Sequence, residues 1–147
     1  MNRVLRDGIV AGAVAGLLSG APSTAHALLT RGDPLEASAA AGSLLLRRET
    51  NRARLLAAAV PAHGALSLGW GVVLAAVLPR RRTAAWGALA GLAIAAVDLG
   101  VAARRFPRIR ALPLAPQVAD HLAYGAVAGA VLSHVRIRAD GPFRVSD

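Results

Sequence analysis

The chain contains no cysteine and no lysine, and aromatic residues account for only 3% of its 147 positions. The absence of cysteine excludes disulfides, thiol nucleophiles and Cys-ligated zinc. The shortage of aromatic side chains argues against an ordinary soluble core, because alanine and glycine dominate the composition instead. Small residues at this density are typical of membrane helices, which use them to approach one another closely.

Basic charge is in large excess, since arginine supplies all 17 basic residues and the formal net charge is +9. On a soluble protein such a charge would suggest a nucleic-acid partner. Here the arginines lie in the gaps between long apolar stretches, which favours contact with the phosphates of anionic lipid headgroups. We therefore predict the lipid bilayer as a partner, and no nucleic acid.

Four mostly uncharged stretches follow one another along the chain, and about 20 apolar residues of helix suffice to cross a bilayer. The sequence therefore predicts an all-α membrane protein with four transmembrane helices in a single domain over residues 1–147. The expected spans are residues 8–30, 55–79, 83–103 and 116–135. The fourth is the weakest, because it must include Gln117, Asp120 and His121.

The first span has an alternative interpretation as a cleaved signal peptide, because Ala25-His26-Ala27 imitates an A-x-A cleavage site. Asp7 in the basic start and an apolar run that continues to Leu29 favour a retained helix instead. Pro22 lacks a backbone donor, so we expect a kink near the end of this helix.

A segment between the first two spans has the features of a short helix lying on the membrane surface. Asp33 suits an N-cap, Pro34 the first helical position and Glu36 the third. The expected amphipathic interfacial helix covers residues 34–46, which is too short to cross the bilayer. The connection after Pro79 is also short, so the second and third spans are expected to form an antiparallel hairpin.

Glycine recurs every four residues in the first span and in pairs in the third and fourth spans. This spacing places the glycines on one stripe of each helix, against which another backbone can lie closely. The predicted packing residues are Gly8, Gly12, Gly16, Gly20, Gly87, Gly91, Gly125 and Gly129. The stripe on the first span serves either packing within the bundle or a seam in a homo-oligomer.

A weak internal repeat accompanies the glycines. Gly-Ile-Val-Ala-Gly at 8–12 resembles Gly-Ala-Leu-Ala-Gly at 87–91, and His63 with Trp70-Gly71 echoes His121 with Tyr124-Gly125. The two halves of the chain would then be copies of one helical hairpin, with the interfacial helix inserted in the first copy.

Most polar side chains of the spans fall near one membrane surface. With four alternating helices, the ends of the first and third and the starts of the second and fourth share a leaflet, whichever side is cytoplasmic. The predicted polar pocket comprises Asp98, His63, Asp120, His121, Tyr124, His26, Ser23 and Ser67.

Asp98 is the most informative of these residues, because it lies about 7 Å inside the third span. A carboxylate there costs about 2.5–3.5 kcal/mol unless it is protonated or paired. It either bonds a neighbouring helix or Arg105, or it serves as a proton, cation or ligand site. His26, His63 and His121 with the aspartates would also suit a metal such as zinc, although their spacing forms no known metal motif.

No catalytic signature and no phosphate-binding glycine loop is present, so we expect a non-enzymatic protein without a cofactor. The leading hypothesis is a small transporter or a proton- or cation-responsive subunit of a larger complex, in which Asp98 titrates. The alternative is a scaffold or oligomerising protein that uses the glycine stripe of the first span, and a membrane metalloenzyme is the third hypothesis. The arginines at 80–82 favour both termini being cytoplasmic.

Five stretches carry a family resemblance: 19–26, 31–36, 68–71, 105–113 and 117–125, among them Leu-Gly-Trp-Gly at 68–71. Together they cover about half of the chain and resemble a family of small, uncharacterised bacterial membrane proteins of the actinobacterial type. The resemblance implies a four-helix protein of the bacterial inner membrane and no assigned activity, so it transfers no functional residue. Small multidrug transporters are similar in size, but the acidic residue typical of their first helix is missing here.

Overall fold

A computed structural model of the chain describes residues 2–139, and within them every regular element is helical. This confirms the predicted all-α class. The helices are α1 (Arg3–Leu18), α2 (Ala21–Leu29), α3 (Glu36–Gly42), α4 (Arg52–Val77), α5 (Thr83–Val97), α6 (Ala103–Arg105), α7 (Pro107–Arg110) and α8 (Leu114–Ala139), with a π-helical turn over Asp98–Ala102. The two ends of the predicted domain, residue 1 and residues 140–147, lie outside the described residues.

Among residues 2–139, three helical segments are long and apolar enough to cross a membrane, namely Arg3–Leu29, Arg52–Val77 and Thr83–Arg105, with mean hydropathies of 1.4, 1.5 and 1.7. They coincide with the first three predicted spans and support a multi-pass membrane protein. Helix α8 has 26 residues at the position of the predicted fourth span, but Asp120 and two arginines in its last turn reduce its apolar character. The fourth span therefore stays a prediction.

The three candidate spans expose most of their apolar surface. Only 33%, 28% and 22% of their most apolar windows are buried within the molecule, and Leu17 and Leu29 are 87% and 85% exposed. The core is small by comparison and includes Ala11, Ala128 and Leu132, which are fully buried. An apolar surface of this extent requires a non-aqueous environment, which a bilayer provides.

The long helices pack as two antiparallel pairs joined side by side. In the first pair, Gly8 of α1 lies against Val72 of α4, while Gly16 lies against Ser67. In the second pair, α5 packs along α8 in the same antiparallel manner. Helix α1 also packs on α8, so these two helices lie between α4 and α5.

Glycine allows the backbones in both pairs to come into direct contact. A Cβ atom on Gly71 would lie 2.6 Å from the Cα of Gly12, and one on Gly125 would lie 2.8 Å from the nitrogen of Gly91. Seven of the eight predicted packing glycines occupy contacts of this kind within the chain, whereas Gly20 faces open space. Gly8, Gly12 and Gly16 contact α4, Gly87 and Gly91 contact α8, and Gly125 and Gly129 contact α5.

Helices α4 and α5 run in opposite directions, as their short connection predicts, but each packs mainly on another helix. The reason is the placement of glycine. Gly71 faces α1, whereas Gly87 and Gly91 face α8, so the closest backbone contacts form outside the α4–α5 hairpin. The two glycine-lined pairs, α1 with α4 and α5 with α8, follow the internal repeat of the sequence.

The kink predicted at Pro22 is confirmed as a break between α1 and α2. Helix α1 ends at Leu18 and α2 begins at Ala21. The regular bonding resumes where the amide of Thr24 donates to the carbonyl of Gly20 at 3.1 Å. Because Pro22 has no amide hydrogen, the helical ladder cannot continue across this point.

The helix predicted over residues 34–46 is shorter than expected, since α3 covers only Glu36–Gly42. Asp33 does not cap the helix directly but accepts a bond from the amide of Leu35 at 2.9 Å, which makes a separate turn before it. At the other end, Gly42 lies against the backbone of Leu55, and the chain then turns toward α4. Both limits depend on contacts with α4 that local sequence does not specify.

Asp33 also ties the segment before α3 to the start of α4. Its carboxylate accepts from both terminal nitrogens of Arg52, with Nη2 to Oδ1 at 2.7 Å. Bonds from Arg52 and from the Leu35 amide lower the pKa of Asp33 to about 2. A lowered folded-state pKa stabilises the fold above the unfolded-state value of about 3.9, and the contribution is lost as the pH falls toward 2.

We expect Gly71→Ala to destabilise the protein by about 1–3 kcal/mol, because the new methyl group would displace α1. Gly69→Ala is the matched control, since nothing lies within 4 Å of a Cβ atom at Gly69 in the same helix. The control should be neutral or slightly stabilising, because alanine favours a helix by about 1 kcal/mol over glycine. The free energy of unfolding in detergent measures both variants, and equal values would contradict the proposed contact.

Candidate functional site

Seven of the eight predicted pocket residues make polar contacts in three neighbouring groups at the end of the molecule where α2 ends and α8 begins. We call these seven residues the polar cluster. It comprises Ser23, His63, Ser67, Asp98, Asp120, His121 and Tyr124. The side chains make polar contacts with one another and with backbone groups. These contacts connect α2, α4, α8 and the π-helical turn.

Asp98 and His121 form the one acid–base contact of the cluster among the described residues. The Nε2 atom of His121 lies 3.4 Å from Oδ2 of Asp98, and the two side chains are 20% and 28% exposed. Asp98 is the first residue of the π-helical turn that follows α5. Turns of this type inside helices are frequent at functional sites.

The contact of the second nitrogen of the His121 ring shows where the hydrogen of a neutral ring lies. Nδ1 lies 2.7 Å from the carbonyl oxygen of Gln117, and a carbonyl only accepts, so Nδ1 carries a hydrogen. In a neutral ring Nε2 then has only a lone pair, which would face the carboxylate of Asp98. Two acceptors in contact repel each other, whereas a proton on Nε2 of His121 would make the contact with Asp98 attractive.

Two other members of the cluster bind the backbone groups released by the break between α1 and α2. Oδ1 of Asp120 accepts from the amide of Ser23, in the first turn of α2, at 2.9 Å. Nε2 of His63 donates to the carbonyl of Gly16, in the last turn of α1, at 2.9 Å. Helix ends leave such groups without partners, so both side chains act as caps supplied by other helices.

Tyr124 completes the cluster by joining α8 to α4. Its hydroxyl donates to the carbonyl of Ser67, and the two residues are 7% and 6% exposed. The Ser67 hydroxyl lies 3.5 Å from Nε2 of His63, so the contacts of Tyr124 and His63 converge on the same turn of α4. Burial increases the contribution of this hydrogen bond to stability, because an unpaired hydroxyl there would keep its full desolvation cost.

His26 lies outside the polar cluster, since its ring makes no hydrogen bond or ion pair within residues 2–139. The metal site considered from His26, His63 and His121 receives no support from the geometry. In the part of the chain that the structure describes, no three histidine, aspartate or glutamate side chains are arranged to hold a metal ion.

Several contacts of the structure could not be recognised from the residue types in the sequence. The carbonyls of Gln117 and Gly16 are backbone groups that every residue carries, so no residue type indicates their role. The π-helical turn likewise follows an ordinary apolar run. At the opposite end, Arg136 turns inward and donates to the carbonyls of Ala75 and Leu78 at 2.7 and 3.1 Å, which caps the end of α4.

No protein-family model, curated protein or solved structure matches this chain. The functional interpretation therefore depends on the polar cluster and on the way in which the helices hold it.

Replacing Asp120 by alanine should remove the cap of α2 and destabilise the protein by about 1.5–3 kcal/mol, the usual range for a bond to a charged group. Asp120→Asn keeps an acceptor for the Ser23 amide and should cost clearly less. Unfolding free energies of both variants test the cap. Equal losses would show that the negative charge, and not the hydrogen bond, is what Asp120 contributes.

Proposed function

We propose that the chain is a four-span protein of the bacterial inner membrane, with both termini in the cytoplasm, and that it acts as a proton-responsive subunit. Support for α8 as the fourth span comes from its length of 26 residues, about 39 Å of helix, and from its position between α1 and α5. Its polar residues near the start turn toward neighbouring helices, as intramembrane polar groups usually do.

The contact between His121 and Asp98 carries the functional proposal. Because Nδ1 of His121 binds the Gln117 carbonyl, the two side chains attract each other only when a proton lies between Nε2 of His121 and the carboxylate of Asp98. Gain of the proton draws the π-helical turn toward α8, and loss of the proton makes the two side chains repel. Histidine is the side chain best suited to such a change near neutral pH.

The same cluster would serve a transporter of protons or cations, which is the second form of the hypothesis. Its backbone breaks, at Pro22 and in the π-helical turn, resemble the irregular segments near transport sites. However, Asp120, His63 and Tyr124 are each engaged with a backbone group of another helix. Such contacts suit a device that changes helix packing better than an open pathway.

The contacts that the glycine stripe of α1 makes within the chain weaken the scaffold hypothesis. Gly8, Gly12 and Gly16 lie against α4 of the same chain, so their backbone contacts are already occupied. Association with a second copy through this stripe would require α4 to leave α1. A partner subunit would instead contact the exposed faces of the outer helices, such as the face of α5 that carries Trp86.

The proposal predicts that amide hydrogen exchange in residues 98–105 is slower at about pH 5.5 than at about pH 8.5, on either side of the usual range of histidine titration. After correction for the intrinsic effect of pH, protection should change by about three- to twentyfold, the range of interhelical polar contacts in membranes. His121→Gln should abolish the change.

His134→Gln is the matched control, because His134 is an exposed histidine of the same helix, 13 residues beyond His121. The control should keep the full effect of pH. Loss of the effect in both variants, or its persistence in His121→Gln, would contradict the assignment of the proton to the pair.

A further inference from the structure

Two short helices outside the candidate spans meet at the end of the molecule that carries the polar cluster. Helix α3 belongs to the connection between α2 and α4, and α7 belongs to the connection between the π-helical turn and α8. The two helices pack on each other, and α7 also packs on the π-helical turn. Two connections that are far apart in the chain are therefore joined in the fold.

Two contacts of arginine side chains hold these connections together. Nη1 of Arg108 lies 3.5 Å from Oε1 of Glu36, and the two side chains are 37% and 45% exposed. The guanidinium carbon of Arg47 lies 5.8 Å from the centre of the Phe106 ring, directly before α7. A guanidinium group at this distance is attracted by the face of an aromatic ring. Each contact joins the chain before α4 to the chain before α8.

Helix α3 is the fixed side of this arrangement, because it is held on α4. Ala39 and Ala40 are 1% and 0% exposed, and Gly42 lies against the backbone of Leu55. Helix α7 has only four residues, and none of them is buried. The position of α7 therefore depends on the contacts at its surface, whereas the position of α3 depends on packing against a long helix.

The π-helical turn receives its packing mainly from α7 and from α5 and α6, its neighbours in the chain. Asp98, the first residue of the turn, contacts α8 through its side chain at His121. Through α7, the turn is also linked to α3 and hence to α4, which belongs to the other glycine-lined pair. This second link does not involve the polar cluster.

We propose that α3 and α7 act as a strap that restrains the π-helical turn, and that the ion pair of Arg108 with Glu36 fastens it. The inference rests on the proposed function, since the strap regulates the pair of Asp98 and His121 by limiting the movement of the turn that carries Asp98. Because both fastening side chains are partly exposed, dissolved ions screen their attraction. The ionic strength beside the membrane therefore controls how freely the turn moves.

The test is amide hydrogen exchange of residues 98–105 in detergent at a single pH of about 8.5, where the proposed function leaves Asp98 and His121 without attraction. Arg108→Gln should accelerate exchange about two- to fivefold, the range of an exposed ion pair. Glu36→Gln should have the same effect, and the double variant should exchange about as fast as either single variant.

Salt provides a second way to loosen the strap without a substitution. About 1 M sodium chloride shortens the screening length to about 3 Å, which is comparable with the separation of the two charged groups. It should accelerate exchange of residues 98–105 in the wild type by a similar factor and leave the double variant unchanged. An equal effect of salt on both proteins would overturn the ion pair as the fastening contact.

Arg110→Gln is the matched control, because Arg110 is an exposed arginine of the same helix whose side chain makes no hydrogen bond or ion pair within residues 2–139. It removes the same charge and should leave exchange of residues 98–105 unchanged. Residues 64–77 of α4 are the internal control, and their exchange should be the same in every variant.

The outcomes separate the strap from the proposed function. Equal acceleration by Arg108→Gln and Arg110→Gln, no acceleration by Arg108→Gln, or acceleration that extends to residues 64–77 would overturn the strap. Each of these results leaves the effect of pH on the wild type, and with it the proposed function, intact. Acceleration confined to residues 98–105 in a protein whose exchange shows no effect of pH would instead contradict the proposed function and support the restraint alone.

Discussion

Direct contact between helix backbones at glycine is the constraint on which the rest of this structure depends. Gly12 with Gly71, and Gly91 with Gly125, leave no room for a side chain between the helices. The two contacts determine which helices pair and how the paired helices are positioned along each other. Gly91 lies against the backbone of His121, and the contact holds α5 close to α8. Asp98 follows two turns further along the chain, about 10 Å, and its side chain and the His121 ring span that distance to come within 3.4 Å of each other.

The break at Pro22 accounts for two further contacts of the polar cluster. An interrupted helix leaves amides and carbonyls without partners, and in a membrane no water is at hand to satisfy them. His63 and Asp120 supply those partners from α4 and α8. The cluster thus has a structural part, which caps the broken helix, and the pair of Asp98 and His121, to which we assign the response to protons. Asp120 of the first part and His121 of the second occupy adjacent positions on α8.

Sequence reasoning identified features that depend on periodicity and on alternating helices. Glycine spacing indicated the packing surfaces, and chain direction alone brought Asp98 and His121 to one end. The early end of α3 was not predicted, since its last residue, Gly42, lies against the backbone of Leu55 in α4, a contact that local sequence does not specify. The contact of the His121 Nδ1 atom with the Gln117 carbonyl could not be predicted either, because it depends on a distance to a backbone group.

The most direct test of the account is a double-mutant cycle with Asp98→Asn and His121→Gln, measured as unfolding free energy at about pH 5.5 and about pH 8.5. The account predicts a favourable coupling of about 0.5–2 kcal/mol at the lower pH and a coupling near zero or of opposite sign at the higher pH. A coupling that is the same at both values would contradict the account, because the two side chains would then interact without a proton.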